Sequence, residues 1–284
     1  MSWLEFFRRK RPPRIGLALS GGGARGLAHI GVLKVLEEEG IPVHALAGTS
    51  MGGVVAAAYA AGFSADELAR EAIRMSSLRE LVRLVDLRPA RRGLLAGTHV
   101  REFLSRLISP EIQFQDLRIP LGLKAVDLNT GAEVDLMEGS ALQAVMATSA
   151  FPGVFPPVEI GPWRLVDGGV LNNLPTGLPK TLGTDVVIGV NVSPEPGAGE
   201  HIEPAVGLNR LPVLAQDLAR VVIIMTRALT KAHLLEAPPD LLLSPPIPHE
   251  IGLFTGFTRA EEIIHIGEET ARRQLDAIQR LAAR

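Results

Sequence analysis

The sequence predicts an α/β fold with a mainly parallel central sheet. Short apolar runs alternate with helical stretches along the 284 residues, which is the pattern of strand-helix-strand units. The chain is 46% hydrophobic and contains 29 glycines and 21 prolines, so it can bury a large core. We expect a leader over residues 1–14 and a single three-layer α/β/α domain over residues 15–284, with C-terminal helices at about 211–282 packing on it.

The expected elements follow one another along most of the chain. We predict strands at 15–20, 43–49, 121–127, 132–137, 163–166 and 185–193, and helices at 27–39, 51–62, 64–85, 98–107, 139–149, 175–182, 211–234 and 258–282. Residues 127–131 superficially match a calcium-binding loop, but Gly131 stands at a ligand position and Ala132 follows it. A hairpin turn between two strands accounts for this stretch better.

A glycine loop, Gly21–Gly26, follows the first strand and precedes the first helix. Glycines there let backbone N–H groups converge on an anion, which fits a P-loop, a dinucleotide fingerprint or an oxyanion hole. A P-loop is excluded because it needs Lys and then Ser or Thr after the last glycine, where this chain has Leu27 and Ala28. Three glycines fit the dinucleotide spacing, but that fingerprint needs an acidic residue about 20 positions further on.

The five residues from Gly48 to Gly52, with Ser50 at their centre, stand where that acidic residue should be. A serine between two glycines at a strand-to-helix turn is typical of a nucleophile elbow. The helix N-terminus after it favours developing negative charge. Because adjacent parallel strands place their carboxyl ends side by side, we expect the glycine loop and Ser50 to meet as oxyanion hole and nucleophile.

A third element is Asp167, which ends a strand and enters a turn at Gly168 and Gly169. The glycine loop, the G-x-S-x-G motif and the D-G-G motif, in this order and spacing, resemble those of the patatin-like phospholipases. Stretches 26–31 and 147–158, and the Asn173 and Pro175 that follow D-G-G, also resemble that family. The resemblance spans roughly residues 15–195 and is specific as a set.

The resemblance implies a small, bacterial-type enzyme with a Ser–Asp dyad, in which Ser50 is the nucleophile and Asp167 the proton acceptor. It also implies an oxyanion hole built from backbone amides of the glycine loop: Gly21, Gly22, Gly23, Ala24, Arg25 and Gly26. An unperturbed carboxylate, with a pKa of about 3.9, is a weak base, so we expect ester rather than amide hydrolysis. The expected enzyme is a lipid acyl hydrolase of phospholipase A, lysophospholipase or carboxylesterase type that needs no cofactor and no metal.

Other functions remain open on the residues alone. A non-catalytic lipid-binding or regulatory adaptor would keep the same scaffold, and a nucleotide-binding protein would use the glycine loop without the ribose-binding carboxylate. Asp167 by itself also fits a turn aspartate that caps the two glycines. Among hydrolases, the alternative is a triad whose histidine follows Asp167 in the chain. The histidines in that position are His201, His233, His249 and His265.

Three residues bear on substrate recognition. Arg25 fits either a solvated loop cation or a residue that steadies the oxyanion loop or attracts a phosphate headgroup. Phe151 and Phe155 lie among prolines before the Asp167 strand. They fit either the wall of an acyl channel or ordinary core packing.

Charge and composition indicate where the protein is located and which classes of partner it can bind. The net charge of −2 gives no electrostatic case for nucleic acid, and zero cysteines exclude disulfides, Cys-based zinc sites and a cysteine nucleophile. No uncharged apolar stretch reaches a membrane-spanning length and no secretory pattern is present, so we expect a cytoplasmic protein. The N-terminus fits either contact with anionic lipid on the inner membrane face or a disordered leader. The residues that would make this contact are Trp3, Phe6, Phe7, Arg8, Arg9, Lys10 and Arg11.

Overall fold

One eight-stranded sheet forms the centre of the computed structural model, which describes residues 11–84, 97–193, 213–252 and 256–284. The strands are β1 Ile15–Leu19, β2 Ala45–Gly48, β3 Leu121–Asp127, β4 Glu133–Leu136, β5 Val158–Ile160, β6 Trp163–Asp167, β7 Val186–Val190 and β8 Leu241–Leu243. Their order is β5-β6-β3-β2-β1-β7-β8, and β4 pairs with β3 outside this path. The pairs β1–β2, β1–β7, β2–β3 and β7–β8 are parallel, whereas β3–β4, β3–β6 and β5–β6 are antiparallel.

The helices largely match the predicted positions. They are α1 Ala28–Glu38, α2 Ser50–Ala60, α3 Ala65–Met75, α4 Leu78–Leu84, α5 Thr98–Leu107, α6 Ala141–Thr148, α7 Leu178–Thr181, α8 Val213–Glu236, α9 Ala260–Arg273 and α10 Leu275–Ala282. The single helices expected at 64–85 and 258–282 are each divided in two. Strands β5 and β8 are missing from the predictions because each has only three residues, too few to show a periodic pattern.

Helices cover both faces of the sheet, as the middle of β3 shows. Successive residues of a strand point to opposite faces. A Cβ added at Gly122 would lie 2.7 Å from Leu178 of α7, whereas the side chain of the next residue, Leu123, lies 3.2 Å from a Cβ added at Gly53 of α2. The predicted three-layer α/β arrangement with a mainly parallel sheet is therefore confirmed.

The helix that follows the glycine loop is tied to the C-terminal part of the chain. Helices α1 and α9 cross with their backbones in contact: a Cβ added at Gly31 would lie 2.0 Å from the carbonyl oxygen of Ile264, and one at Gly267 would lie 2.0 Å from that of Ala28. The close crossing requires glycine at both positions, since a Cβ would overlap a carbonyl oxygen. Residues far apart in sequence thereby support the start of α1.

The N-terminal prediction is only partly within the described ranges. The residues Trp3, Phe6, Phe7, Arg8, Arg9 and Lys10 lie outside them. The guanidinium of Arg11 donates two hydrogen bonds to the Asp185 carboxylate, at 3.0 and 3.2 Å, and the backbone N–H of Arg14 donates to the same group at 2.7 Å. Asp185 therefore connects the approach to β1 with the start of β7. Across the described ranges, every helix is too short or too polar to span a lipid bilayer.

Candidate active site

Ser50 lies on a strained turn between β2 and α2. Its φ is 53°, and it is the only residue other than glycine with positive φ in the described ranges. Such a conformation costs on the order of 1–3 kcal/mol and persists only where its surroundings enforce it. A Cβ at Gly48 would lie 2.6 Å from the nitrogen of Gly53, and one at Gly52 would lie 2.3 Å from the oxygen of Leu19. The turn therefore has the crowding of a nucleophile elbow on both sides of the serine.

Asp167 lies at the same level of the sheet as Ser50 because its strand, β6, runs antiparallel to β3. Gly48, at the end of β2, is level with Leu123 of β3, while Asp167, at the end of β6, is level with Ala125. Strand β3 runs past the end of β2, and β6 runs back along this extension. Asp167 therefore stops just beyond the carboxyl edge of β2, where Ser50 begins α2.

The C-terminal end of α6 holds the backbone of both residues. The N–H of Ser50 donates to the hydroxyl oxygen of Thr148 at 3.0 Å, and that hydroxyl donates in turn to the carbonyl of Lys124. The N–H of Asp167 donates to the carbonyl of Ala150 at 3.0 Å. Thr148 lies in a stretch that resembles the family, but the sequence indicates no role for it because its partners are distant in sequence.

The Asp167 carboxylate is buried, with 2% of the residue exposed, and is hydrogen-bonded by the Ser50 side chain and by the N–H of Gly169 at 2.8 Å. Burial raises its pKa from 3.8 to about 6, although both hydrogen bonds act in the opposite direction. It is then a much stronger base than a solvated aspartate, yet about nine-tenths ionised at pH 7. Within the described residues neither partner of this carboxyl group is a histidine; His201 lies outside them.

The glycine loop lies directly against the nucleophile. A Cβ added at Gly21 would lie 3.0 Å from the Cβ of Ser50 and 2.4 Å from the side-chain oxygen of Asn173. Asn173 holds the loop on both sides: its carbonyl accepts the N–H of Gly21 at 3.0 Å, and its side-chain amide donates to the Gly21 carbonyl at 3.2 Å. Only glycine fits between these two residues.

The amides of this loop differ in availability. Those of Gly21 and Arg25 already donate to the carbonyls of Asn173 and Gly22. Those of Gly22, Gly23 and Ala24 have no acceptor within the part of the chain that the structure describes. These three open the short 3₁₀ helix Gly23–Leu27, where the first N–H groups lack partners in the helix. Among the residues of the predicted oxyanion hole, these three therefore have amides available to a ligand, and the hole itself stays a prediction.

Arg25 is a bracing residue of the loop and not a solvated cation. It is 4% exposed and donates hydrogen bonds to carbonyl oxygens from two other segments. The acceptors are Val192 at 2.8 Å, Pro248 at 3.1 Å, and Ile247 and Ile251 at 3.2 Å each. Of the alternatives open from the sequence, the structure favours the one in which Arg25 steadies the loop.

His29, on α1, is a structural residue of the same region. Burial lowers its pKa to about 4, so the ring is neutral at pH 7, and its Nε2 lies 2.8 Å from the carbonyl oxygen of Ser20. A neutral ring bonded to a carbonyl carries its proton on Nε2 and donates it there. His29 therefore fixes the end of β1, immediately before the glycine loop.

Phe151 and Phe155 follow Ala150, the residue that accepts the N–H of Asp167. Both side chains are partly exposed, and the Phe155 ring lies 3.5 Å from the position of a Cβ added at Gly97. Their contribution to an acyl channel stays a prediction. Over the described ranges, no group of three or more His, Cys, Asp or Glu side chains is placed to hold a metal ion.

The residues of this site lie within a stretch that matches a known protein family. The family model described as patatin-like phospholipase matches residues 17–179, more than half of the chain, including Ser50, Asp167 and the glycine loop. The protein belongs to the patatin-like phospholipase family. This confirms the family predicted from the motifs, and carboxylic ester hydrolysis, the enzyme class expected from the sequence, is the class of this family.

Several relatives of this patatin-like protein are known by sequence. An uncharacterized NTE family protein of Mycobacterium tuberculosis is 36% identical over 208 residues, covering 72% of this chain and 57% of that protein. Another from that species is 31% identical over 290 residues, covering 95% and 48%. The patatin-like phospholipase domain-containing protein 6 of Mus musculus is 36% identical over 184 residues, covering 63% and 13%. The chain thus spans about half the length of the mycobacterial relatives.

The patatin-like fold also has a solved counterpart. The structure of VipD from Legionella pneumophila covers 94% of this chain and 67% of that chain, with 14% sequence identity and a TM-score of 0.50. At this identity the likeness concerns the fold alone.

Proposed function

We propose that this protein is a serine lipid acyl hydrolase with a Ser–Asp dyad, Ser50 as nucleophile and Asp167 as general base. The observation that carries the proposal is a positive-φ serine hydrogen-bonded to a buried carboxylate whose pKa is raised to about 6. The glycine loop supports it, because the loop meets that serine at Gly21 and contains three amides without acceptors among the described residues. Membership of a phospholipase family supports an acyl ester of a lipid as the substrate.

In the first half of the reaction, the Ser50 hydroxyl oxygen attacks the ester carbonyl carbon while its proton passes to the Asp167 carboxylate. The carbonyl oxygen becomes an oxyanion, which the N–H groups of Gly22, Gly23 and Ala24 would stabilise. The bond to the leaving alcohol then breaks, and Asp167 returns the proton to the alcohol oxygen. Ser50 is left as an acyl ester.

In the second half, water attacks the acyl carbon of this intermediate. Asp167 takes a proton from the water, the same amides stabilise the second oxyanion, and the proton returns to the Ser50 oxygen as the carboxylic acid leaves. One carboxyl group thus acts as base and acid in both halves. A base with a pKa of about 6 suits this double role near neutral pH, since both of its protonation states are accessible.

A raised pKa does not make Asp167 equivalent to an imidazole paired with a carboxylate. An alcohol leaves an acyl group far more readily than an amine does, so the dyad favours esters. Phe151 and Phe155 are proposed to contact the acyl chain. Three further expectations stay predictions from the sequence. They are the cytoplasmic location, the leader over residues 1–14 and the contact of that leader with a membrane.

The test compares ester hydrolysis by purified wild-type protein with that of Ser50→Ala. We expect wild type to release fatty acid from p-nitrophenyl esters and phospholipids, and the variant to lose at least about 10³-fold in kcat/KM. The single variants His201→Ala, His233→Ala, His249→Ala and His265→Ala should stay within a few-fold of wild type. Folded wild type that binds lipid without hydrolysing any ester would instead identify the adaptor, and loss of turnover at one histidine would identify a triad.

A further inference from the structure

Helix α8 exposes an unusually apolar face. Leu218, Val221, Ile224, Met225 and Leu235 are 58%, 49%, 51%, 55% and 78% exposed. Ala228 and Ala232, between them, are also exposed. Their spacing of three and four residues places them on one side of the helix. These seven residues, here called the α8 face, form a continuous apolar stripe of the kind that marks a contact surface.

Helix α8 carries three cations beside this stripe and two acids, Asp217 and Glu236, at the ends of the stripe. The cations are Arg220, Arg227 and Lys231, and Arg220 pairs with Asp217 of the same helix at 3.5 Å. Their separations of seven and four residues place them along one margin of the helix. An apolar stripe bordered by cations is typical of a helix that lies on an anionic lipid surface.

The α8 face belongs to a helix that touches the candidate active site. The Thr226 hydroxyl, on the inner side of α8, donates to the carbonyl of Gly169 at 2.8 Å, and the N–H of Gly169 donates to Asp167. Further along, Leu234 packs against Ala18 and Val187 of the sheet. The exposed face is on the opposite side of this helix, about 10 Å from the turn that follows Asp167.

Self-association would suit this surface less well than lipid does. Two copies meeting through the α8 face would bring the cation-lined margins of both helices to the contact, whereas the two acids of α8, Asp217 and Glu236, lie only at the ends of the stripe. Anionic headgroups would instead neutralise the cations while the stripe enters the acyl region. We propose that the α8 face docks the protein on an anionic lipid bilayer, beside the active site; as a route for substrate, this rests on the proposed function.

The proposal is tested by flotation of the full chain with vesicles, in a Ser50→Ala background so that no lipid is hydrolysed. One set of vesicles is phosphatidylcholine alone, and the other contains phosphatidylglycerol as well. The triple variant Val221→Ser/Ile224→Ser/Met225→Ser should bind anionic vesicles at least about tenfold more weakly than its parent. Arg220→Gln/Lys231→Gln should lose a similar factor on anionic vesicles but little on phosphatidylcholine, because only the headgroup attraction is removed.

Helix α4 provides a matched control. Its Leu78 and Val82 are 72% and 68% exposed, but they are the only exposed large apolar side chains that the structure describes on this helix, and Glu80 lies between them in sequence. Leu78→Ser/Val82→Ser should therefore bind vesicles as the parent does. The proposal is overturned if the triple variant binds as the parent does, if the α4 control loses as much, or if the parent binds neither vesicle. A triple variant that only converts a dimer to a monomer in light scattering would assign the face to a second copy.

The assay separates this proposal from the proposed catalysis. In the native Ser50 form, the substitutions on α8 should leave hydrolysis of water-soluble p-nitrophenyl butyrate within about twofold and reduce hydrolysis of vesicle phospholipid at least about tenfold. Equal loss on both substrates would overturn the docking role and indicate damage to the site. Vesicle binding by a protein with no esterase activity would refute the catalytic proposal and leave the docking surface standing.

Discussion

Asp167→Asn is expected to abolish ester hydrolysis and, above pH 6, to make the folded protein more stable. Asparagine has nearly the same shape and can still accept the N–H of Gly169, but it cannot take the proton of Ser50. Loss of a general base typically costs on the order of 10²–10⁴ in rate, and here the same group must also return the proton to the leaving alcohol. We therefore expect kcat to fall at least about 10³-fold.

The gain in stability follows from the raised pKa. Between pH 3.8 and about 6 the folded protein holds a proton on Asp167 that the unfolded chain has released, so the free energy of unfolding falls as pH rises through this window. At 1.36 kcal/mol per pKa unit the total loss is about 3 kcal/mol above pH 6. The side chain introduced by Asp167→Asn does not ionise, so the free energy of unfolding of the variant does not fall in this way. The stability difference should be near zero at pH 4 and about 2–3 kcal/mol in favour of the variant at pH 7.

Urea unfolding of both proteins at several pH values measures this difference, and Asp127→Asn is a matched control of opposite sign. Asp127 is also inaccessible to solvent, but hydrogen bonds from the Arg164 N–H and the Thr130 hydroxyl lower the pKa of its carboxyl group. Its substitution should therefore reduce stability at pH 7 and leave esterase activity intact. An Asp167→Asn protein that is less stable than wild type at pH 7 would contradict the buried, raised-pKa carboxyl group.

Arg25→Met is expected to destabilise the protein by on the order of 3–4 kcal/mol and to lower the kcat of the protein that remains folded. The substitution leaves four carbonyl oxygens, from residues 192, 247, 248 and 251, without their guanidinium donor. These carbonyls hold the glycine loop against two other segments. Since losing one oxyanion donor typically costs about 10²–10³ in rate, a displaced loop should reduce kcat by a similar factor.

The Arg25 prediction is tested by urea unfolding at neutral pH. The kcat is measured without urea, at a temperature well below that of thermal unfolding. Arg74→Met is the control, because Arg74 is 47% exposed and pairs with Glu71 of the same helix. A surface change of this kind stays within about 0.5 kcal/mol. Equal stability of Arg25→Met and Arg74→Met would rule out the bracing role. Arg25→Lys should not rescue, since one ammonium group cannot reach four carbonyls as the planar guanidinium does.

Local patterns were sufficient to predict the parts of the site that are contiguous in sequence. Gly48 and Gly52 indicate the turn because backbone contacts exclude any side chain there, and the glycine loop is recognisable from its own residues. The strands and helices next to these motifs are long enough to show their periodicity. The family, the fold class and the candidate dyad could therefore be predicted before any distance was known.

The features that the sequence did not predict depend on contacts between distant segments. Strand β6 pairs antiparallel with β3, and this pairing, together with that of β2 and β3, sets Asp167 level with Ser50. Thr148 meets the Ser50 amide across 98 positions, and Arg25 meets its carbonyls across more than 160. A charged residue in a glycine loop is solvated in most proteins, so its burial follows only from the tertiary structure.

If Asp167 alone activates Ser50, the rate at which a fluorophosphonate labels Ser50 should follow the ionisation of the Asp167 carboxyl group. Wild type should be labelled at Ser50, by mass spectrometry of the peptide, with a rate that rises tenfold per pH unit and levels off above pH about 6. Ser50→Ala should not be labelled, and Asp167→Asn should be labelled far more slowly with no midpoint near 6. Folded wild type that is not labelled, or a midpoint that persists in Asp167→Asn, would rule out activation of Ser50 by Asp167 alone.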